Sequence, residues 1–210
     1  MLCYFCALPV EGSVCQSCER MLTPKFHWLP SLPNICMAGY LYEYNSVIQS
    51  VIHGMKYNGN FALGNLIRRN IQCRDIPYLY FETDGHVCVP SHWFRQFFRG
   101  RKHIPFLFDV FKGENLDLSS HCKRRRYSRS SVGLNRKERL KRMANRFRWR
   151  GNSGIQSVTI LDDVCTTGAT LSAMARMLKD HGIEQVHALV VAHQPIKECI
   201  GAGCKGLNFG

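Results

Sequence analysis

The stretch that decides the fold is SVTILDDVCTTGAT, residues 157–170. It opens with the apolar, β-branched run Ser157–Leu161, which predicts a buried strand. Apolar residues then recur at helical spacing from Leu171 to Leu178, and another apolar strand is predicted from Gln185 to Ala192. Because strand, loop, helix and strand at this spacing form a βαβ unit, the sequence predicts an α/β fold built on a parallel sheet.

The loop between that first strand and the helix carries the candidate site. Ligands of open α/β sheets bind beyond the carboxyl ends of the strands. Two adjacent carboxylates there, Asp162 and Asp163, are costly unless they meet cations or hydroxyls, and ribose hydroxyls or Mg²⁺ both fit. Threonines and Gly168 then precede the helix, whose N–H groups and positive end favour a phosphate. The pattern resembles the phosphoribosyl pyrophosphate (PRPP) signature of type I phosphoribosyltransferases.

Two matched cysteine pairs open the chain. Cys3-x2-Cys6 and Cys15-x2-Cys18 are separated by eight residues that favour a turn. Four thiolates at this spacing, with no open position, are typical of structural zinc. The eleven cysteines are otherwise expected to be reduced thiols, because their number is odd and no export signal is recognised.

The net charge of +13 is concentrated in one part of the chain. Residues 91–150 contain eighteen Lys or Arg and four Asp or Glu, a balance of +14, so the remainder is nearly neutral. This indicates a polyanionic partner: nucleic acid, an anionic membrane surface or a phosphorylated small molecule. Neither a spanning helix nor a signal peptide is predicted, so the cytoplasm is the default expectation.

Other elements are predicted around the βαβ unit. Their shared signal is apolar periodicity, and they comprise a strand over Ala38–Tyr44, a helix over Val47–Met55 capped by Asn45 or Ser46, a helix from about Phe61 to Ile71, a strand over His86–Pro90 and a helix over residues 94–111. In the basic stretch, four apolar residues fall on one helical face: Leu140, Met143, Ala144 and Phe147.

In order along the chain, these features resemble the ComF (ComFC) competence family. The resemblance rests on the Cys quartet, the Lys56-Tyr57-x-Gly59 turn, the Val87-x-Val89-Pro90 strand end, the Arg136-x2-Arg139-x5-Asn145-x-Phe147 stretch and the Asp-Asp-Val-x-Thr-Thr-Gly-x-Thr motif. It implies a parallel-sheet, phosphoribosyltransferase-like (Rossmann-like) core with a small N-terminal four-cysteine zinc finger. The expected domains are a zinc finger and linker at 1–35 and a phosphoribosyltransferase-like domain at 36–210.

The resemblance also assigns a PRPP site. The acids are expected to face the ribose, the threonine stretch to hold the 5′-phosphate, and the loop after Pro90 to lie near the pyrophosphate, with Mg²⁺ accompanying it. The implied residues are Asp162, Asp163, Thr166, Thr167, Gly168, Ala169, Thr170, Ser91 and His92. Catalytic residues are not assigned.

Two functions are left open by these residues. The first is handling of incoming single-stranded DNA during natural transformation, with basic side chains along the phosphates and Trp149 stacking on a base. The DNA-binding candidates are Arg95, Arg99, Arg101, Lys123, Arg124, Arg125, Arg126, Arg129, Arg146, Arg148, Trp149 and Arg150. The family suggests a competence helicase or recombination mediator as partner. The second is an active transferase that moves phosphoribosyl from PRPP to a nitrogen acceptor and releases pyrophosphate.

Overall fold

The fold was obtained as a computed structural model that describes residues 1–71, 75–80, 82–90, 103–111, 115–125, 146–151 and 154–195. Its strands are β1 (His27–Trp28), β2 (Met37–Glu43), β3 (Gly85–Cys88), β4 (Leu116–Asp117), β5 (Cys122–Arg124), β6 (Phe147–Trp149), β7 (Ser157–Cys165) and β8 (Gln185–His193). Its α-helices are α1 (Gln16–Arg20), α2 (Ser46–Asn58), α3 (Phe61–Arg68), α4 (His103–Leu107) and α5 (Ala169–Lys179).

Six strands form one sheet in the order β1-β2-β8-β7-β3-β4. All neighbours pair in parallel except β1, which runs antiparallel to β2 at one edge. The predicted α/β fold with a parallel sheet is therefore confirmed. Strands β5 and β6 form a separate antiparallel ribbon.

The centre of the sheet is the core of the protein. Side chains of β7 and β8 are buried on both faces, as is typical of parallel strands covered by helices, and Ile160 and Val190 are fully buried. Helix α2 begins where Asn45 accepts the N–H groups of Val47 and Ile48, so the Asn45 cap is confirmed. It ends at Gly59, whose φ of 63° is left-handed.

Three predicted elements differ from the structure. Strand β7 continues to Cys165 instead of stopping at Leu161, because Asp162, Val164 and Cys165 still pair with β8. The helix predicted over residues 94–111 is described only from residue 103, where α4 ends at Leu107 and a short 3-10 helix follows at Asp109–Phe111. Phe147 lies in strand β6, where it is buried, and not on a helical face. The other residues of that predicted face lie outside the described residues.

The predicted linker contributes to the sheet. Within residues 21–35, β1 pairs with β2, and Leu22 accepts a hydrogen bond from the hydroxyl of Tyr42 through its carbonyl oxygen. The domain boundary at residue 35 stays a prediction. In the part of the chain that the structure describes, no helix combines the length and apolar character needed to cross a membrane.

Candidate functional site

The threonine loop, which we define as Thr166–Thr170, joins the carboxyl end of β7 to the start of α5. Thr166 and Thr167 are exposed, and Gly168 adopts a φ of 70° as the residue before the helix. The hydroxyl of Thr167 accepts the N–H of Ala169 at 3.2 Å. The first N–H groups of a helix have no acceptor within the helix, so this surface loop offers donors to an anion.

Position 168 requires glycine both because of its backbone conformation and because a neighbouring side chain lies close to it. A Cβ at this position would lie 2.4 Å from Cδ2 of Leu32. Leu32 lies in the segment between β1 and β2, so that segment packs directly against the threonine loop. Only glycine combines this close approach with the left-handed backbone.

The two acids before the loop are more enclosed than the sequence suggested. Asp162 is 9% exposed and Asp163 is 6% exposed. Because successive side chains of a strand point to opposite faces, the two carboxyl groups leave the sheet on different sides. Both acids therefore lie within the strand and not in an open loop, and their contact with a ribose stays a prediction.

Asp163 has two partners. Its Oδ1 lies 2.7 Å from Nζ of Lys56, and its Oδ2 lies 2.5 Å from Nε2 of His103. Burial opposes ionisation, but the hydrogen bond from His103 and the charge of Lys56 hold the pKa of Asp163 below its ordinary value. Asp163 is thus a carboxylate whose charge is balanced.

Asp162 differs from Asp163 in its hydrogen-bond partners and in the direction of its pKa shift. Its Oδ1 accepts the N–H of Asp163 at 2.9 Å, and among the described residues its second oxygen has no hydrogen-bond partner. Burial, followed by the charge of Asp163, raises the pKa of Asp162 well above its ordinary value, against weaker opposing effects of Lys56 and Arg124. A protonated carboxyl can donate as well as accept a hydrogen bond, which suits a hydroxyl ligand.

The four N-terminal cysteines converge as predicted. The sulfur atoms of Cys3, Cys6, Cys15 and Cys18 all lie within 4.8 Å of one another, and those of Cys6 and Cys15 are 3.5 Å apart. Tetrahedral zinc at about 2.3 Å from each sulfur requires sulfur–sulfur distances of about 3.8 Å. The cluster is therefore compatible with structural zinc.

The thiols of this cluster differ in acidity. Burial raises the pKa of Cys18 to about 12, with a further contribution from the neighbouring thiols. Burial acts in the same direction on Cys3, but hydrogen bonds, first that from the N–H of Cys15, lower its pKa to about 6. Zinc binds thiolates, so its binding to this cluster would release the protons that the remaining thiols retain.

The basic ribbon, defined as residues 121–125 and 146–151, carries six exposed or half-exposed Lys or Arg side chains and no acidic residue. Lys123 lies directly opposite Arg148 in the β5–β6 pairing, and both are exposed. Like charges at such a position repel each other, and an anionic ligand bound between them would offset that repulsion. The ribbon is therefore suited to an anionic ligand. The remaining exposed or half-exposed members are Arg124, Arg125 and Arg150, with Arg146 half-exposed beside them.

Trp149 does not fit its predicted role. Trp149 is 5% exposed, and a Cβ on Gly151 would lie 2.2 Å from its ring, so the indole packs over the backbone of Gly151. A buried ring is not available to a base, and we correct the prediction that Trp149 stacks on DNA. With Phe147 it anchors the ribbon, whose strand β6 packs against α5.

Several predicted site residues lie outside the described residues: Ser91, His92, Arg95, Arg99, Arg101, Arg126 and Arg129. Conversely, the structure adds Lys56 and His103 to the site. Lys56 had a sequence signal, since it belongs to the Lys56-Tyr57-x-Gly59 stretch, which was predicted as a turn and lies at the end of α2, but its partner is distant in sequence. His103 had none, because a lone histidine in a basic segment does not indicate a buried carboxylate partner.

Comparisons with known proteins agree with this geometry. A family model described as phosphoribosyl transferase domain matches residues 142–199. "Competence protein ComFC" of Streptococcus pneumoniae is 25% identical over 146 residues, which cover 70% of this chain and 63% of that protein. "Competence protein F" of Haemophilus influenzae is 28% identical over 166 residues, which cover 75% and 71%.

The parallel sheet, the threonine loop and the family-model match define a protein with a phosphoribosyltransferase-like domain. With the N-terminal cysteine cluster and the two competence relatives, the chain is similar to the ComF competence family. The match spans 63% of the length of the pneumococcal relative, so the activity of the whole protein is a matter for proposal.

Proposed function

We propose that the protein is a competence factor that binds PRPP or a related sugar phosphate at the threonine loop and single-stranded DNA on the basic ribbon. The observation that carries the proposal is the loop itself: exposed Thr166 and Thr167 at the carboxyl end of β7, with Gly168 opening a helix. This is the position at which open α/β sheets bind phosphorylated ligands.

The acid that suits the ribose is Asp162. It lies four residues before Thr166 on the same strand end, and one of its oxygens is free of hydrogen bonds among the described residues. The cation Mg²⁺, when bound with PRPP, would neutralise the pyrophosphate; the chain's own part is to hold the 5′-phosphate on backbone N–H groups and the ribose hydroxyls on Asp162.

The basic ribbon supports the DNA half of the proposal. Its exposed cations stand on a scaffold fixed by buried Phe147 and Trp149, so a row of positive charge is presented without a neighbouring acid on the ribbon. The charge of Arg124 on the ribbon contributes to lowering the pKa of Asp162, which supports a ribbon near the proposed PRPP site. Cytoplasmic location and a helicase or recombination partner complete the proposal through the family resemblance.

PRPP binding is tested by isothermal titration of the intact chain with PRPP and Mg²⁺. We expect saturable binding, competed by ribose 5-phosphate and weakened at least tenfold by Asp162→Ala. Asp84→Ala is the matched control, because Asp84 also accepts backbone N–H groups but lies at the opposite, amino end of β3. Equal effects of the two substitutions, or no binding by the wild type, would refute the site.

DNA binding is tested by fluorescence anisotropy with a single-stranded oligonucleotide at several salt concentrations. The slope of log affinity against log salt is about −0.7 for each phosphate neutralised, so removing Lys123 and Arg148 together should reduce its magnitude by about 1.4. Arg176→Gln serves as control, because Arg176 is an exposed cation on α5 whose ion-pair partner is Asp180. A slope near zero in the wild type would exclude this role.

An active transferase is the second candidate, favoured by the family-model match to a phosphoribosyl transferase domain. The reaction would break the bond from C1 of PRPP to pyrophosphate and form a bond to a nitrogen acceptor. Transferase activity is tested by measuring pyrophosphate release from PRPP in the presence of each common nucleobase. Release with one base would establish the transferase, and binding without release would leave a ligand-binding role.

A further inference from the structure

Asp163 is held by a cluster that the sequence motif did not reveal. The ammonium of Lys56 and the imidazole of His103 occupy its two carboxylate oxygens, at 2.7 Å and 2.5 Å. The side chains of Lys56, His103 and Asp163 are 22%, 8% and 9% exposed, so the group is largely shielded from water. In such surroundings an ion pair is screened little, and removing one partner leaves a costly charge.

The three residues come from three different elements. Lys56 lies in the last turn of α2, whose end is fixed by the left-handed Gly59. His103 is the first residue of α4, which packs on α3 and contacts β7. Asp163 lies near the end of β7, three residues before the threonine loop. The cluster therefore ties two helices to the strand that delivers the loop.

An uncompensated carboxylate at Asp163 would oppose an anionic ligand. The threonine loop begins three residues later, and two negative charges in a weakly polar environment repel each other strongly. Lys56 removes this repulsion by pairing with the carboxylate, while His103 fixes its second oxygen. Each oxygen of Asp163 thereby has one partner that fixes the orientation of the carboxylate, and each keeps a second lone pair that can accept a hydrogen bond.

We propose that Lys56 and His103 are positioning residues of the sugar-phosphate site, which orient and neutralise Asp163 so that the threonine loop accepts a phosphate. The proposal rests on the proposed PRPP-binding function and assigns roles within that site. Neither Lys56 nor His103 touches the ligand in this arrangement.

The test measures PRPP–Mg²⁺ dissociation constants by isothermal titration, with thermal unfolding of each variant recorded in parallel. Lys56→Met should weaken PRPP binding at least tenfold, and Lys56→Arg should restore it to within about threefold of wild type because the charge returns. His103→Gln should weaken binding less than Lys56→Met, since an amide can still donate to the carboxylate. Lys179→Met is the control, because Lys179 contacts the carbonyl of Glu184 at the far end of α5.

A double variant separates positioning from mere structural support. In Asp163→Asn/Lys56→Met there is no carboxylate to neutralise, so PRPP should bind more tightly than to Lys56→Met alone. Loss of thermal stability alone would not produce that recovery. Should Lys56→Met fail to fold, Lys56→Gln is compared with Asp163→Asn/Lys56→Gln in the same way.

Three results distinguish failure of the positioning role from failure of the proposed PRPP-binding function. If the wild type binds no PRPP, the proposed function fails and this inference falls with it. If the wild type binds PRPP while Lys56→Met and Lys56→Gln bind equally well, the positioning role is overturned and the proposed function stands. If the double variant binds no better than Lys56→Met, neutralisation of Asp163 is likewise overturned.

Discussion

Gly168→Ala should damage both the fold and the proposed phosphate site. The left-handed backbone at φ 70° costs an alanine about 1–2 kcal/mol relative to the ordinary helical region. The new methyl group would also meet Leu32 at 2.4 Å. Because Leu32 is only half-buried and can yield, the cost of this overlap falls at the low end of overpacking, about 1 kcal/mol. Together the two effects predict a loss of about 2–3 kcal/mol.

The assay is urea unfolding followed by circular dichroism, with the free energy of unfolding taken from midpoint and slope. Gly59→Ala is the matched control: its φ of 63° is similar, but nothing lies within 4 Å of the added Cβ. It should lose only the backbone contribution. Leu32→Ala in the Gly168→Ala background should recover the steric contribution. Equal losses at the two glycines, or no coupling between Leu32 and Gly168, would refute the close packing on which the loop's geometry depends.

Three further predictions follow from described contacts. Asp84, whose pKa is lowered first by the N–H of Ser157, contributes stability that is present above its unfolded-state pKa of about 3.9 and lost as pH falls through its folded-state value. Asp84→Asn should therefore narrow the difference between unfolding midpoints at pH 7 and pH 3; an unchanged difference would contradict this. Cys6→Ser should reduce zinc retained after gel filtration from one ion per chain, as read by a colorimetric chelator, and full retention would contradict a four-cysteine site. Arg148→Gln should relieve repulsion with Lys123, raising stability by up to about 1 kcal/mol while weakening DNA binding, and a fall in stability would show that the pair is not repulsive.

Local periodicity was enough to predict much of the sheet and its helices. The run from Ser157 and the helix after Gly168 are strong local signals, and Asn45 caps α2 as its side-chain chemistry indicates. The matched cysteine pairs likewise predicted their own convergence, since each pair is close in sequence and a short turn joins them.

The environment of the acids could not be predicted in the same way. Whether a strand ends at Leu161 or Cys165 depends on pairing with β8, which is a tertiary contact that local sequence does not encode. The partners of Asp163 are separated from it by 107 and 60 residues, the differences between their numbers. Trp149 between two arginines has the local pattern of a nucleic-acid contact, and only the packing against Gly151 shows that it is buried.

The most direct test is a structure of the full chain determined with PRPP and Mg²⁺. We predict the 5′-phosphate within hydrogen-bond distance of backbone N–H groups of Thr166–Thr170, a ribose hydroxyl on Asp162, and Asp163 still paired with Lys56. A ligand bound elsewhere on the chain, or a threonine loop that stays empty at saturating PRPP, would contradict a sugar-phosphate site at the end of β7.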